Sequence, residues 1–192
     1  MPSRQREESV CAPGTRAGLP VYAACAALAA AILAAYCRTF RVPFLFDDTS
    51  AIAGNPTLRR FGSAFAPLAD STVSGRPVLN LSLAANYAVG GLSVTGYHAA
   101  NLAIHLGAAL LLFGIVRRTL AQRGDSGAAT VAFFSALLWA LHPLGTEAVT
   151  YVVQRAESLM ALFYLATLYC FIRGTCRAGA PARGWYVLAV VS

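Results

Sequence analysis

Gly96–Val116 reads GYHAANLAIHLGAALLLFGIV, twenty-one residues without one charged side chain. A bilayer core about 30 Å thick needs about 20 apolar residues in helical form, so this stretch decides the fold. Residues 19–37 and 127–141 also lack charge, and 156–172 carry only Glu157. The chain has 192 residues, 57% hydrophobic and 12% charged, with a mean hydropathy of +0.59. A soluble domain carries roughly a quarter charged residues. These features predict an all-α, polytopic membrane helix bundle. Its spans fall at about 19–37, 94–116, 127–141 and 156–172, with the start of another at 185–192.

Between the spans the composition changes. Residues 1–18 hold Pro2, Pro13 and Gly14 and read as a disordered cytoplasmic tail, leaving 19–192 as the membrane domain. Arg4, Arg6 and Arg16 before the run Leu19–Tyr36 resemble a secretory signal, but the run is long for one, and an uncleaved first span is expected. Residues 38–93 form a long connection broken by Pro43, Pro56, Pro67, Pro77, Gly90 and Gly91. The mixed stretches Thr57–Ala66 and Arg76–Ala88 within it predict short interfacial helices.

The net charge of +7 comes from fifteen arginines and no lysine. They stand at span ends, which fits membrane orientation and excludes a nucleic-acid partner as the reading of the charge. The tail and the turns 117–126 and 173–184 carry three each. These are assigned inside, with 38–93 and 142–155 outside. Cys11, Cys25, Cys37, Cys170 and Cys176 show no metal-ligand spacing and no disulfide framework.

Three constellations could carry chemistry. Asp47 and Asp48 stand side by side just past the first span, where acids are costly. Either they are solvated loop acids, or one is a general base while the other tunes it or helps to hold a divalent cation. His98, Asn101 and His105 recur at helical spacing on one face of the second span, as an interhelical polar stripe or a ligand-facing one. His142, Glu147, Arg155 and Glu157 cluster after the third span. A helix starting near Thr146 would put Glu147, Tyr151, Gln154, Arg155 and Ser158 on one face, where the Arg155 guanidinium could take a phosphate or simply pair with Glu. Asn80-Leu81-Ser82 matches a glycosylation triplet, but its apolar setting makes packing the better reading.

Three strings together resemble a known family: FDDTSAIAGNPTLR (46–59), GRPVLNLSLAANYAVGGLSVTGYHAANLAIHL (75–106) and LHPLGTEAVTYVVQRAESLMALFYLATL (141–168). They are similar to the N-terminal membrane part of the TMTC proteins and their bacterial TPR-bearing relatives, a branch of the GT-C glycosyltransferases near the protein O-mannosyltransferases. The resemblance implies transfer of a sugar, mannose above all, from a lipid-phosphate-sugar donor to a protein hydroxyl on the luminal or periplasmic side. It implies Asp47 and Asp48 as the catalytic acids, and His142, Glu147, Arg155 and Glu157 as outer-face family elements. With His98, Asn101 and His105, these four are the candidate donor-binding residues. No dedicated metal site is implied, and a divalent cation beside Asp47 and Asp48 is the one cofactor considered. Relatives of this type carry more spans and C-terminal TPR repeats, so the chain is expected to be part of such an enzyme. It would sit in the endoplasmic reticulum of a eukaryote or the inner membrane of a bacterium. The alternatives are a non-catalytic membrane scaffold or a transporter piece, whose polar groups should lie nearer the midplane.

The arginine pattern makes a topological prediction. Single cysteines at Ser71 and Ser126, in a cysteine-free background, should be labelled by an impermeant reagent from opposite sides of the membrane. Labelling of both from one side overturns the assignment.

Overall fold

The computed structural model describes residues 19–66, 69, 71–175 and 180–191, so the expected tail, Cys11 and Cys176 lie outside the described residues. The described chain is helical, with no strand. The helices are α1 Val21–Ala35, α2 Phe61–Ala64, α3 Pro77–Gly90, α4 Val94–Gln122, α5 Ala128–Ala140, α6 Thr146–Thr150, α7 Arg155–Thr175 and α8 Ala180–Val191. Three stretches are long and apolar enough to cross a membrane, Val21–Arg41, Val94–Gln122 and Val152–Thr175. A fourth is the pair Ala128–Ala140 and Pro143–Thr150, bent by 56°. The chain is a multi-pass, all-α membrane protein.

The residues group into two compact units. One comprises Met1–Ile32, Leu106–Leu141 and Ala161–Ser192; the other comprises Leu33–His105 and His142–Met160.

In the first unit small residues set the packing. Ala128, Ala132, Ala136 and Ala140 are all buried along one edge of α5, a spacing that lets helix backbones approach closely. Gly107 and Gly114 do the same for α4. A Cβ on Gly107 would come within 3.1 Å of Leu162 Cδ1, and one on Gly114 within 2.7 Å of Tyr169 Cε2. Both pairs advance by seven residues, so α4 and α7 run parallel there. Leu138, Phe134, Tyr164 and Phe171 stay exposed, as side chains facing lipid would.

In the second unit the long connection is a folded body rather than a loop. Ala51, Ile52, Leu58, Ala64, Val73, Leu79, Leu83, Ala84, Tyr97, Val152 and Val153 make one buried apolar cluster. Pro56 and Pro77 each open a helical turn, where the missing N–H costs nothing. Two asparagines hold the cluster together. Asn55 donates to the Ala51 carbonyl (3.0 Å) and to Asn80 Oδ1 (3.2 Å). Its own Oδ1 accepts from the Thr57 N–H and hydroxyl (3.0 and 2.6 Å). Asn80 donates in turn to Thr57 Oγ1 (3.0 Å) and the Ala64 carbonyl (2.8 Å). Both asparagines are fully buried, so the triplet at Asn80 serves packing.

The expected helix from Thr146 is interrupted. α6 ends at Thr150, Tyr151 is extended (φ −90°, ψ 116°), a 3-10 turn covers Val152–Gln154, and α7 begins at Arg155. Glu147 and Arg155 therefore do not share a helix face: Glu147 is exposed and Arg155 buried. α4 also continues past Val116 through Arg117 and Arg118 to Gln122.

Asn80→Ala should lower stability by about 2–3 kcal/mol, because it strands the buried amide of Asn55 and the Ala64 carbonyl. Thermal denaturation of the detergent-solubilised protein against wild type checks this.

Candidate active site around Asp47 and Asp48

The two acids are adjacent in sequence and opposite in environment. Asp48 is 1% exposed, whereas Asp47 is exposed. The Asp48 carboxylate accepts the backbone N–H of Val153 at 2.7 Å on Oδ1, and those of Val152 (3.4 Å) and Leu45 (3.3 Å) on Oδ2. Val152 and Val153 open the 3-10 turn that leads into α7, and the first N–H groups of such a turn have no partner within it. Asp48 thus caps, from 104 residues away, a turn that the local sequence leaves uncapped. The positive end of the helix dipole favours a negative charge there. The bond back to Leu45 closes the turn that carries the acids, as a capping box does.

Burial pushes the Asp48 carboxyl above the usual carboxylate range, against the pull of the three N–H donors and of nearby His98. Its contribution to stability is therefore complete below the ordinary carboxylate pKa and declines as pH rises through the raised folded value.

The backbone around Asp47 is held from both sides. Its N–H donates to the Tyr151 hydroxyl at 3.0 Å. Phe46 before it has φ +45°, the only positive φ outside glycine among the described residues. An aromatic residue there costs on the order of 1 kcal/mol. The Phe46 ring is 87% exposed and lies edge-on to Tyr151, centroids 6.5 Å apart. After the acids, Thr49–Ala53 form a π-turn, closed by Gly54 N–H to the Thr49 carbonyl at 2.8 Å; such turns recur at functional sites. Nothing local in the sequence announces the positive φ of Phe46 or the hydroxyl contact of Tyr151.

Arg155 is 1% exposed. Its Nε donates to Asn101 Oδ1 at 2.6 Å, one terminal nitrogen to the Tyr97 carbonyl at 2.9 Å, and the other to the Ser82 carbonyl (3.1 Å) and hydroxyl (3.4 Å). Asn101 passes the connection on, its amide facing the carbonyls of Val149, Tyr151 and Val152 at 3.3–3.4 Å. The guanidinium thus joins α3, α4 and the broken segment, with every nitrogen engaged inside the protein.

The helical stripe on α4 is buried throughout. His98 Nε2 meets the Val42 carbonyl at 2.9 Å; a carbonyl only accepts, so that nitrogen carries the proton. Its Nδ1 is buried without a partner. His105 packs edge-on against Tyr36, centroids 5.6 Å apart. His142 is exposed and caps the turn after α5, with Nδ1 3.3 Å from the Leu144 N–H. Glu157 is exposed on the first turn of α7. Among the described residues no group of three or more His, Cys, Asp or Glu side chains could hold a metal ion. Both Asp48 oxygens accept backbone N–H groups, which leaves Asp47 as the exposed carboxylate of the pair.

This division makes a stability prediction. Asp48→Asn presents an amide N–H₂ to donors that need an acceptor, and should cost about 1–3 kcal/mol. Asp47→Asn, at an exposed position, should stay within about 0.5 kcal/mol of wild type. Thermal unfolding of both variants decides it, and equal losses would contradict the separation of roles.

Comparison with known proteins agrees with the motif reading. Protein O-mannosyl-transferase TMTC2 of Mus musculus is 34% identical over 164 residues, covering 80% of this chain and 19% of that protein. Protein O-mannosyl-transferase Tmtc3 of Drosophila melanogaster is 33% identical over 184 residues, covering 82% and 20%. Protein O-mannosyl-transferase TMTC4 of Homo sapiens is 32% identical over 196 residues, covering 88% and 26%. The chain spans between about a fifth and a quarter of the length of these curated relatives. No family model and no solved structure matches it. With its three motifs in order, its membrane-length helices and this similarity, the chain is a TMTC-like membrane protein.

Proposed function

We propose that the chain forms part of a membrane glycosyltransferase that moves a sugar, mannose by analogy with its relatives, from a lipid-phosphate donor to a protein hydroxyl on the luminal or periplasmic side. The observation that carries this reading is the unequal acid pair: a buried Asp48 that fixes the backbone, and beside it an exposed Asp47 free to meet a substrate. Rigid backbone around one accessible carboxylate is what general-base catalysis requires.

In this reading Asp47 takes the proton of the acceptor hydroxyl while the hydroxyl oxygen attacks the anomeric carbon. The bond from that carbon to the phosphate oxygen breaks, and the lipid phosphate leaves as an anion without needing a proton. Asp48 is a positioning residue. So is Arg155, whose guanidinium is occupied by Asn101, Tyr97 and Ser82. Exposed arginines of the same unit that could meet the leaving phosphate are Arg38, Arg41, Arg60 and Arg76. His98, Asn101 and His105 serve the same scaffold rather than touching donor, and no step needs a metal. The position of the acids in the connection after the first span, rather than within a broken one, favours this reading over a transporter.

Asp47→Asn should abolish transfer from a mannosyl-phospholipid donor by the purified full chain, a fall of about 10²-fold or more, with insertion and stability unchanged. Wild-type turnover in this variant would overturn the base assignment. Arg155→Lys should lower turnover and stability together, because an ammonium cannot span three partners; a rise in donor KM alone would instead argue for direct phosphate contact.

A further inference from the structure

Three arginines of the first unit take no part in the chemistry above. Arg117 and Arg118 lie near the end of α4, and Arg173 lies in the last turn of α7. Because α4 and α7 run parallel, as the Gly107–Leu162 and Gly114–Tyr169 contacts require, these ends lie at the same level.

The side chains form a layered cluster. The Arg118 guanidinium carbon is 5.5 Å from the centre of the Tyr169 ring. Tyr169 stands edge-on to Trp185, centroids 6.5 Å apart. The Arg173 guanidinium carbon lies 4.6 Å from the Trp185 ring centre. Arg117 is within electrostatic range of Arg118, Tyr169 and Arg173. The absence of a side chain at Gly114 admits Tyr169, and Gly174 likewise admits Tyr186, whose Cε1 would be 2.8 Å from an added Cβ. The cations are therefore held against rings, not dispersed in solvent.

Among the described residues of this unit nothing acidic balances them. The only acidic residue among the described residues of this unit is Asp125, whose Oδ1 accepts the Gly127 N–H at 2.7 Å. The Nε of Arg117, Arg118 and Arg173 is in each case buried without a hydrogen-bond partner. Arginine does not shed its charge in a protein, so three neighbouring guanidinium groups repel one another, and each leaves its Nε donor unused. An anion with several acceptor oxygens relieves both costs, and a phosphate matches the guanidinium fork. Tyr and Trp beside the cations are the residues that favour the headgroup level of a bilayer.

We propose that Arg117, Arg118 and Arg173, with Tyr169 and Trp185, form a binding site for the phosphate of an anionic phospholipid. It belongs to the unit that lacks Asp47.

The test uses the full chain purified in neutral detergent. Phosphatidylglycerol should raise its Tm by about 3–5 °C and remain bound in native mass spectrometry, and phosphatidylcholine should do neither. The triple variant Arg117→Gln/Arg118→Gln/Arg173→Gln should lose the response, and the single variants Arg118→Gln and Arg173→Gln should weaken retention about three- to tenfold. Arg123→Gln, at an exposed neighbour, should respond as wild type. An equal response to phosphatidylcholine, or retention undiminished in the single and triple variants, overturns the proposal. An equal shift with inorganic phosphate alone would assign the site to free phosphate and overturn the lipid.

Discussion

The Asp48 carboxylate closes a contact between two segments more than a hundred residues apart, and the turn that carries Asp47 depends on it. The turn Val152–Gln154 that leads into α7 starts with N–H groups that nothing in its own sequence satisfies. In water they would be hydrated; at a membrane boundary that remedy is weaker, and an unsatisfied donor is expensive. Asp48 supplies two oxygens to Val152 and Val153. In doing so it fixes the turn that holds Asp47 out. One acid is sacrificed to structure so that its neighbour can be presented.

Around that clamp, a second buried polar layer keeps the broken segment in place. Arg155 and Asn101 between them bind the backbone carbonyls of Ser82, Tyr97, Val149, Tyr151 and Val152. The Val149, Tyr151 and Val152 carbonyls are left over by the end of α6 and the interruption at Tyr151, and Asn101 links them to the buried guanidinium. A buried guanidinium is costly to desolvate. It is tolerated here because each nitrogen finds an acceptor. The Asn55–Asn80 pair plays the corresponding part inside the long connection, which is why a segment rich in proline and glycine folds into a body with its own apolar core.

The first unit follows another rule. With lipid outside there is no hydrophobic gain in pressing one helix on another, so packing depends on close approach. Gly107, Gly114 and the alanines of α5 provide it. Large apolar side chains are free to face outward, and the arginines collect at helix ends on aromatic rings.

Much of this was legible in sequence. Charge-free runs of membrane length specify helices regardless of context, because a backbone in lipid must satisfy itself; the all-α, multi-pass architecture follows from Gly96–Val116 and its counterparts. The doubled acid, the spacing of His98, Asn101 and His105, and the packing role of Asn80 were readable for similar local reasons. What sequence could not divide was Asp47 from Asp48, two identical side chains in neighbouring positions. Nor could it tell Arg155 as a ligand for phosphate from Arg155 as a buried strut, or foresee that the helix from Thr146 breaks at Tyr151. Those outcomes turn on which distant N–H or carbonyl comes within 3 Å of a side chain. Only the tertiary fold brings residue 48 to residue 153, and only there do burial and the helix dipole give one carboxylate to structure and leave the other free for chemistry.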